Sequence, residues 1–314
     1  MHLVLFMNQT QYKNNTDVAR SAWAGLMVGD ALGAPAEFCY SGDIRAKYPY
    51  GLSKMVNGFG ICVDRVAGEI TDDTQMAYCL HCSLEEAGDW DAALALQYYR
   101  EWLATDPPDV GVATEAALSG SPMLESQGNG ALMRVMPIAL WALENPEFDW
   151  MTAACEDAAL THPHPICAEC NVVYVYALLQ SAKRDASSQS IYEATLIWAK
   201  EQEISSTVID TLMRASTERP DYDGEHIGWV LIALQSAFYQ LLHAPSFKDA
   251  LVDIVSAGGD TDTNAAIAGA LLGILYGEQA IPRDWIEAVH KANFARYTSL
   301  LPSSLFSENN VALR

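Results

Sequence analysis

The sequence predicts an all-α fold, and three observations support that prediction. Apolar residues recur with helical spacing, alternating β-branched runs are nearly absent, and Pro or Gly residues separate the helical segments. The chain has 314 residues, of which 50% are hydrophobic, so it can bury a substantial core. Because no repeat, low-complexity tract or flexible linker divides the chain, we expect one compact multi-helix domain over residues 17–300. Residues 1–16 are then an N-terminal extension and residues 301–314 a C-terminal tail.

The helical period is clearest in a set of segments rich in Ala and Leu. These are residues 91–105, 150–160, 170–182, 228–242 and 264–276. The predicted loops between helices contain Pro, which cannot donate a backbone hydrogen bond inside a helix. They are residues 107–108, 119–122, 145–146, 162–165 and 219–220. We therefore expect helices joined by short connections.

Residues 41–68 depart from this pattern. They contain several glycines, an Asn57-Gly58 pair and little helical period. We therefore predict a long ordered loop here, and long loops in compact domains are often functional.

The charge of the chain argues against two classes of partner. Lys and Arg number 18 against 40 Asp and Glu, a net charge of -22, so broad attraction to nucleic acid or an anionic membrane surface is not expected. The apolar start, HLVLFM, follows no positively charged region and is too short for a signal peptide. No uninterrupted apolar run is long enough to cross a bilayer. We expect a cytoplasmic protein that neither inserts into a membrane nor binds nucleic acid.

Seven cysteines, an odd number, argue against a disulfide framework and suit a reducing compartment. Two CxxC pairs, Cys79/Cys82 and Cys167/Cys170, raise the alternative of a zinc site, and the HPH of residues 162–164 lies close to the second pair. Both pairs lie in segments of helical period, where residues three apart share one face, and neither has the Gly-containing knuckle usual at zinc sites. Buried core cysteines are the favoured interpretation.

Two acidic clusters stand directly before helical runs. The sequence TDDT at residues 71–74 precedes one run, and DTDT at residues 260–263 precedes another. A helix start has unpaired N–H groups and the positive end of the dipole, so it favours a carboxylate. Capping explains one aspartate in each cluster but not the second, because adjacent carboxylates repel. Either the clusters are ordinary caps on distant helices, or they meet in space.

If the clusters meet, about four negative charges come together and require cations or shared protons. The four carboxylates are those of Asp72, Asp73, Asp260 and Asp262. Carboxylate and hydroxyl oxygens favour hard ions such as Mg²⁺, Mn²⁺ or Ca²⁺ over zinc. An EF-hand does not fit: with Asp260 first in the loop, Ala265 replaces the turn glycine and Leu271 the bidentate Glu.

Three further stretches combine polar residues with glycine or proline. In GLMVGDALGAPAEF, residues 25–38, Gly29 and Gly33 flank Asp30 and Glu37 follows, although close helix packing also explains the glycines. In SQGNGALMR, residues 126–134, a turn opens a helix and can present N–H groups to an anion, although an ordinary loop cap is simpler. The HPH turn places two imidazoles beside a helix start, where a surface loop is the commoner explanation.

Together these motifs resemble those of the ADP-ribosylglycohydrolase family. GDALGAPAEF, GEITDDTQM, GNGALMR, THPHP and GGDTDT occur in this order over most of the chain, and TDDT combined with GGDTDT is highly specific. The PPDVG segment and the Gly-Trp helix start at residues 228–229 are most similar to the bacterial dinitrogenase reductase-activating members. The resemblance implies an all-α orthogonal bundle of the family type, in which the two acidic clusters converge.

The resemblance also implies a binuclear Mg²⁺ or Mn²⁺ centre. Carried over residue by residue, it assigns the metal ligands to Thr71, Asp72, Asp73, Asp260, Asp262 and Thr263. Two such cations can orient ribose hydroxyls, acidify a water and stabilise charge at the anomeric carbon. Asp73 or Glu37 is the implied catalytic residue that accepts or relays the proton.

The remaining motifs match binding residues of the family. The implied ADP-ribose-binding residues are Ser126, Gly128, Asn129 and Gly130 in the turn, with His162 and either Trp229 or Tyr222 beside the nucleotide. Asp109 falls where arginine-specific bacterial members carry a catalytic-site Asp that faces the modified side chain. The polar residue that follows this Asp in those members has no clear match in PPDVGVAT.

These assignments predict an ADP-ribosylarginine hydrolase that acts on an ADP-ribosylated protein and releases ADP-ribose. Two alternatives stay open. One is a hydrolase of an O-linkage such as ADP-ribosylserine, and the other is a toxin-neutralising immunity or interaction protein on the same fold. Neutralisation that survives substitution of the metal ligands would indicate the last of these.

Overall fold

The computed structural model describes residues 12–297, and within that range the regular structure consists of fourteen α-helices without a strand. The helices are α1 (Asn15–Gly33), α2 (Ser41–Lys47), α3 (Asp72–Ala87), α4 (Ala92–Leu103), α5 (Val112–Leu118), α6 (Met136–Glu144), α7 (Trp150–Thr161), α8 (Pro165–Ser181), α9 (Ser188–Glu201), α10 (Ser206–Ala215), α11 (Val230–His243), α12 (Phe247–Ala257), α13 (Thr261–Tyr276) and α14 (Arg283–Tyr297). Short 3₁₀ turns occupy Ala34–Ala36, Gly60–Cys62 and Glu278–Ala280. The all-α prediction is confirmed for the described residues.

Each segment predicted from its Ala and Leu period is a helix, namely α4, α7, α8, α11 and α13. Helix α8 begins at Pro165, earlier than the predicted residue 170. Pro is tolerated in the first turn because no backbone N–H is needed there. The side chain of His164 caps this helix by accepting a hydrogen bond from the N–H of Ile166.

The prediction of one long loop over residues 41–68 is wrong in its first part. Ser41–Lys47 form the short helix α2, whose one buried side chain is Ile44. A helix of this length has too few residues to show an apolar period. In the rest of the segment the structure has the 3₁₀ turn Gly60–Cys62 as its only regular element.

Helices α1 and α13 pack backbone against backbone at the centre of the fold. A Cβ atom built on Gly29 would lie 2.1 Å from the carbonyl oxygen of Ala265, and one on Gly33 would lie 2.4 Å from the backbone of Asp262. Only glycine permits so close an approach, so the interpretation of Gly29 and Gly33 as packing residues is confirmed. We call this contact the α1–α13 seam; it consists of Gly25, Gly29 and Gly33 on α1 and Ala265, Gly269 and Gly273 on α13.

Helix α13 is buried on nearly all sides. Helices α8, α11 and α12 pack around it together with α1. A helix that is apolar all round is stable inside a protein but not on its surface. The polar start of α13, residues 260–264, therefore lies in the interior.

Part of the predicted N-terminal extension, residues 12–16, contacts the helical domain. The ammonium group of Lys13 donates to the carbonyl groups of Ser181, Ile274 and Leu275. Residues 1–11 and the predicted tail at 301–314 lie outside the described residues. None of the described helices has the length and apolarity that a bilayer crossing requires.

Candidate active site

The two acidic clusters meet where α3 and α13 begin. The hydroxyl of Thr263 donates to Asp73 Oδ2 at 3.4 Å, although 190 positions separate the two residues in the sequence. Asp72 and Asp73 lie in the first turn of α3, and Asp262 lies in that of α13. The carboxylates thus lie at the positive ends of two helix dipoles, and the alternative of caps on distant helices is wrong.

Asp30 of α1 fixes the start of α3, a role that sequence analysis missed. Its buried carboxylate accepts hydrogen bonds from the backbone N–H groups and the hydroxyls of both Thr71 and Thr74. Burial raises the pKa of Asp30 to about 6, and these hydrogen bonds partly offset the rise. The sequence does contain a signal for this role, namely a carboxylate inside the apolar run LMVGDALG. Such a residue is expected to be buried, and a buried carboxylate needs hydrogen-bond partners.

The turn before α13 holds Glu37 at the site. The carbonyl of Gly259 accepts a hydrogen bond from the N–H of Phe38, and the N–H of Gly259 donates to the carbonyl of Cys39. Gly259 has a φ of 74°, and a Cβ there would lie 1.8 Å from the carbonyl oxygen of Tyr222, so this turn requires glycine. Phe38 also has a positive φ, 56°, a conformation that non-glycine residues adopt mostly at turns and functional sites.

Acidic side chains of this region lie close enough together to share a cation. Oxygens of Glu37, Asp260 and Asp262 lie within 4.8 Å of one another, and all three residues are buried. Asp73 Oδ1 and Asp260 Oδ1 are buried and have no hydrogen-bond partner within residues 12–297. Such oxygens are costly unless they bind protons or cations, and an all-oxygen set suits Mg²⁺, Mn²⁺ or Ca²⁺. The residues present therefore fit a divalent metal centre, with Glu37 among its candidate ligands.

The carboxyl groups of the site have raised pKa values, partly because they lie close to one another. Burial, followed by repulsion from neighbouring carboxylates, raises the pKa of Asp72, Asp73 and Asp262 well above the ordinary value. Burial and, next, the charge of Asp109 raise the pKa of Glu37 to about 9. Both effects penalise the ionised form, so a cation that binds here replaces protons and relieves the repulsion.

The turn at residues 126–130 lies beside the acidic side chains. Asn129 donates from Nδ2 to Asp260 Oδ2 at 2.8 Å and from its backbone N–H to the carbonyl of Gly228 at 3.0 Å. The side chain of Asn129 is therefore bonded to a candidate metal ligand rather than directed to a diphosphate. The other predicted diphosphate contacts are half-buried: Ser126, Gly128 and Gly130.

His162 lies behind this turn, packed against its glycines. It is 3% exposed, and a Cβ on Gly130 would lie 2.9 Å from His162 Cε1. Burial, with the nearby charge of Arg134, lowers the pKa of His162 to about 3, so the ring is neutral. Its Nδ1 lies 2.9 Å from the hydroxyl of Thr161. The prediction that His162 lines the nucleotide is corrected to a packing role, because its buried ring has no face left for a ligand.

Of the two aromatic residues predicted to line the nucleotide, Tyr222 belongs to the core. It is 2% exposed, and its hydroxyl lies 3.0 Å from Ser236 Oγ, so the ring has no accessible face. Trp229 is half-buried and pairs with Gly128 of the turn through a backbone bridge. Its indole N–H donates to Gln127 Oε1 at 2.9 Å. Trp229 therefore stays the aromatic candidate.

Asp109 lies next to the acidic side chains and forms an ion pair with Arg65. In the same segment the N–H of Gly111 donates to Asp72 Oδ2 at 3.4 Å, which holds the segment against the start of α3. Arg65 comes from the loop between α2 and α3 and was also missed. No local pattern marks it, because its pairing with a residue 44 positions away depends on the fold.

Comparison with known proteins agrees with the motifs. A model of the family described as ADP-ribosylglycohydrolase matches residues 11–311. The chain belongs to the ADP-ribosylglycohydrolase family. It is 31% identical to the ADP-ribosyl-(dinitrogen reductase) glycohydrolase of Rhodospirillum rubrum, over 86% of this chain and 89% of that protein.

Two further comparisons each cover more than nine-tenths of this ADP-ribosylglycohydrolase family member. The chain is 26% identical to an ADP-ribosylarginine hydrolase of Pseudomonas putida (strain GB-1), over 92% of this chain and 78% of that protein. A solved structure described as an ADP-ribosylglycohydrolase-related protein complex matches with a TM-score of 0.77 and 27% identity, covering 93% of this chain and 98% of that chain.

Neither CxxC pair of this ADP-ribosylglycohydrolase family member belongs to the group of side chains that could share an ion, although the thiol of Cys167 donates to the carbonyls of Ser126 and Gly128 in the turn. All seven cysteines are free, and burial raises the pKa of Cys79 and Cys167 to about 12, so these thiols stay protonated. Over residues 12–297, the one group of three acidic, His or Cys side chains close enough to share an ion is that of Glu37, Asp260 and Asp262. The structure therefore favours core cysteines over a zinc site.

Proposed function

We propose that this ADP-ribosylglycohydrolase family member is a metal-dependent ADP-ribosylarginine hydrolase that acts on modified proteins. The observation that carries the proposal is the convergence of buried carboxylates from α3 and α13, with Asp73 Oδ1 and Asp260 Oδ1 left without donors. The family supports a glycosidase that acts on ADP-ribose linkages. The similarity to a hydrolase named for ADP-ribosylarginine supports the arginine linkage.

The starts of α3 and α13 are proposed to hold two Mg²⁺ or Mn²⁺ ions. The proposed ligands are Thr71, Asp72, Asp73, Asp260, Asp262 and Thr263, with Glu37 as a further carboxylate beside them. Bound there, divalent cations supply positive charge that binds ribose hydroxyls and lowers the pKa of water.

Carboxylates of the chain are proposed to move the proton. Hydrolysis breaks the bond between the anomeric carbon and the guanidine nitrogen, a water adds its hydroxyl to that carbon, and the departing nitrogen takes up a proton. Glu37 and Asp73 are the candidates to accept the proton of the attacking water. Glu37 is 9% exposed and Asp73 is 1% exposed, so Glu37 is better placed to reach a water that enters the site.

Other residues are proposed to orient the substrate. Asp109, whose charge acts on Glu37, would bind the guanidinium group of the modified arginine. The N–H groups of Ser126 and Asn129 already donate to the carbonyls of Met123 and Gly228, so other backbone N–H groups of the turn at residues 126–130 would bind the diphosphate. Trp229, which pairs with Gly128, would contact the nucleotide through its ring.

The test is release of free ADP-ribose from an arginine-linked and a serine-linked ADP-ribosyl peptide, each with Mg²⁺, Mn²⁺ or EDTA. We expect the arginine-linked peptide to be cleaved only with Mg²⁺ or Mn²⁺. In Asp260→Asn and Asp72→Asn the rate of release should fall by about 100-fold or more. Substitution of a residue that only orients a metal ligand already lowers activity by about 10- to 100-fold.

Asp185→Asn is the matched control, because Asp185 lies in the exposed turn between α8 and α9. It should release ADP-ribose at the wild-type rate, and circular dichroism should show that all three variants are folded. Wild-type rates in both metal-site variants would contradict the metal centre. Cleavage of the serine-linked peptide alone would replace the arginine linkage by the serine linkage.

A further inference from the structure

The guanidinium of Arg65 lies against the carboxylate of Asp109. Only 13% of the Arg65 side chain and 22% of the Asp109 side chain are exposed, so the pair is largely removed from solvent. A guanidinium presents N–H donors in a plane that matches a carboxylate. The chain's own residues therefore place a guanidinium on Asp109.

The charge of Arg65 also acts on the acidic side chains beyond Asp109. Burial lowers the pKa of Arg65, but the negative charges of Asp109, Glu37 and Asp262 outweigh it and raise the pKa above its usual value. In return, the charge of Arg65 partly offsets the rise in the pKa of Glu37. Arg65 is thus close enough to the acidic side chains for its charge to act on Glu37 and Asp262 as well as on Asp109.

Arg65 belongs to a loop that is bonded to itself and to the segment of Glu37. The N–H of Gly58 donates to the carbonyl of Arg65 at 2.9 Å, and the N–H of Arg65 donates to the carbonyl of Cys62 at 3.0 Å. The thiol of Cys62 in turn donates to the carbonyl of Glu37 at 3.4 Å. The loop of Arg65 is therefore hydrogen-bonded to the segment that carries Glu37.

The same loop exposes three apolar side chains. The side chains of Ile61, Val63 and Val66 are 72%, 64% and 56% exposed. Large apolar side chains exposed together beside a site are typical of a surface that another protein contacts. A protein that carries a modified arginine would meet this surface as the arginine approached Asp109.

We propose that the guanidinium of Arg65 occupies the binding site for the modified arginine at Asp109, and that it thereby sets the selectivity of this site. Arg65 binds Asp109 when no substrate is present, and a modified arginine binds only by displacing it. This inference rests on the function proposed above, because it concerns the same carboxylate. Free arginine must compete with a tethered group of identical chemistry, whereas a modified protein also binds through its ADP-ribose and through the exposed apolar side chains of the loop.

The size of the effect follows from how often Asp109 is free. Apparent affinity falls in proportion to the fraction of molecules in the competent state. If Arg65 occupies Asp109 in about nine molecules of ten, its removal strengthens guanidinium binding about tenfold. An ion pair that only neutralises the acidic side chains makes a different prediction: its removal would attract any cation, whatever its shape.

The experiment titrates ethylguanidine, and ethylammonium as a matched cation, into the Mg²⁺-loaded protein by calorimetry. We expect Arg65→Gln to bind ethylguanidine about tenfold more tightly than the wild type, with a much smaller gain for ethylammonium. The gain should disappear in the double variant Arg65→Gln/Asp109→Asn. Arg45→Gln is the control and should match the wild type, because the exposed Arg45 donates to Ser41 within α2, its hydrogen-bond partner in the described part of the chain.

Three results would overturn the proposal: no tighter binding in Arg65→Gln, an equal gain for ethylammonium, or a gain that persists in the double variant. Should Arg65→Gln fail to fold, Arg65→Lys keeps the charge but loses the planar fork, and we expect an intermediate gain. With the arginine-linked peptide, Arg65→Gln should lower KM, because the modified arginine no longer has to displace Arg65 from Asp109. A wild-type protein that cleaves no peptide would refute the proposed function, while the ethylguanidine titration would still decide the role of Arg65.

Discussion

Asn129 connects the turn at residues 126–130 to the acidic side chains. Its Nδ2 donates to Asp260 Oδ2, while Asp260 Oδ1 has no donor. One oxygen of Asp260 is thus oriented by the protein, and the other is left for a cation. A residue of this kind acts on metal affinity through the ligand that it orients.

We predict that Asn129→Ala weakens Mn²⁺ binding by about 10- to 100-fold, because Asp260 loses the donor that fixes its orientation. Calorimetric titration with Mn²⁺ measures the change. Asn15→Ala is a suitable control, since Asn15 also donates one side-chain bond, to the carbonyl of Leu143, away from the site. Equal Mn²⁺ affinity in the two variants would show that Asn129 does not orient a metal ligand.

Among single residues, the groups that stand in local patterns could be predicted from the sequence, and those that depend on distant partners could not. TDDT and DTDT could be recognised because each repeats a polar group at a helix start. The partners of Asp30 and Arg65 lie more than 40 positions away, where no local pattern reaches. His162 and Tyr222 were misplaced because a sequence does not show toward which side a loop residue points.

At the scale of elements, α1 positions both acidic helix starts. Asp30 binds the first residues of α3, and Gly33 lies against the backbone of Asp262 at the start of α13. The hydroxyl of Thr261 also donates to the carbonyl of Gly33 at 2.7 Å. The relative position of α3 and α13 is therefore set by one helix that itself supplies none of the proposed metal ligands.

We predict that Gly33→Ala destabilises the protein by about 1–3 kcal/mol, because the added methyl group forces α1 and α13 apart. It should also weaken Mn²⁺ binding, since Asp262 shifts with α13. Urea unfolding measures the first effect and Mn²⁺ titration the second. Gly42→Ala, where the added carbon has no atom within 4 Å, should change stability by no more than about 0.5 kcal/mol. Similar losses in the two variants would contradict the role of the α1–α13 seam.

The helices, like the single residues, could be predicted only where the local sequence carries a repeated signal. The long helices with an Ala and Leu period were placed correctly, because several turns of apolar residues give a repeated signal. Helix α2 was missed because it buries a single residue, Ile44. The start of α8 was placed late because Pro165 was read as a breaker, whereas a proline in the first turn is compatible with a helix.

At the scale of the whole molecule, part of the net charge of -22 is buried at the site. Without cations, the folded protein keeps protons on carboxyl groups that the unfolded chain releases at ordinary pKa values. Glu37, with a pKa of about 9, and Asp73 and Asp262, with raised pKa values, are examples. Stability and metal content are thereby linked through pH.

We predict that in EDTA the free energy of unfolding falls as pH rises from the ordinary carboxyl pKa values, 3.8 to 4.5, towards about 9. The folded state binds more protons than the unfolded state over that range, so raising the pH favours unfolding. Saturating Mg²⁺ or Mn²⁺ should raise the melting temperature and flatten this dependence, because the cations bind the folded state. Thermal unfolding across pH with and without metal measures both effects. Parallel pH profiles in the two conditions would contradict the link.

The α1–α13 seam has a consequence for how this protein can change. A contact between side chains can change through a series of small substitutions. A contact between two backbones cannot, because every residue larger than glycine would clash at its glycine positions. The proposed metal ligands at the starts of α3 and α13 can therefore hardly change position through single substitutions in the seam. The loops that carry Arg65 and Asp109 lie outside the seam, and new substrate preferences, natural or engineered, have room to arise there.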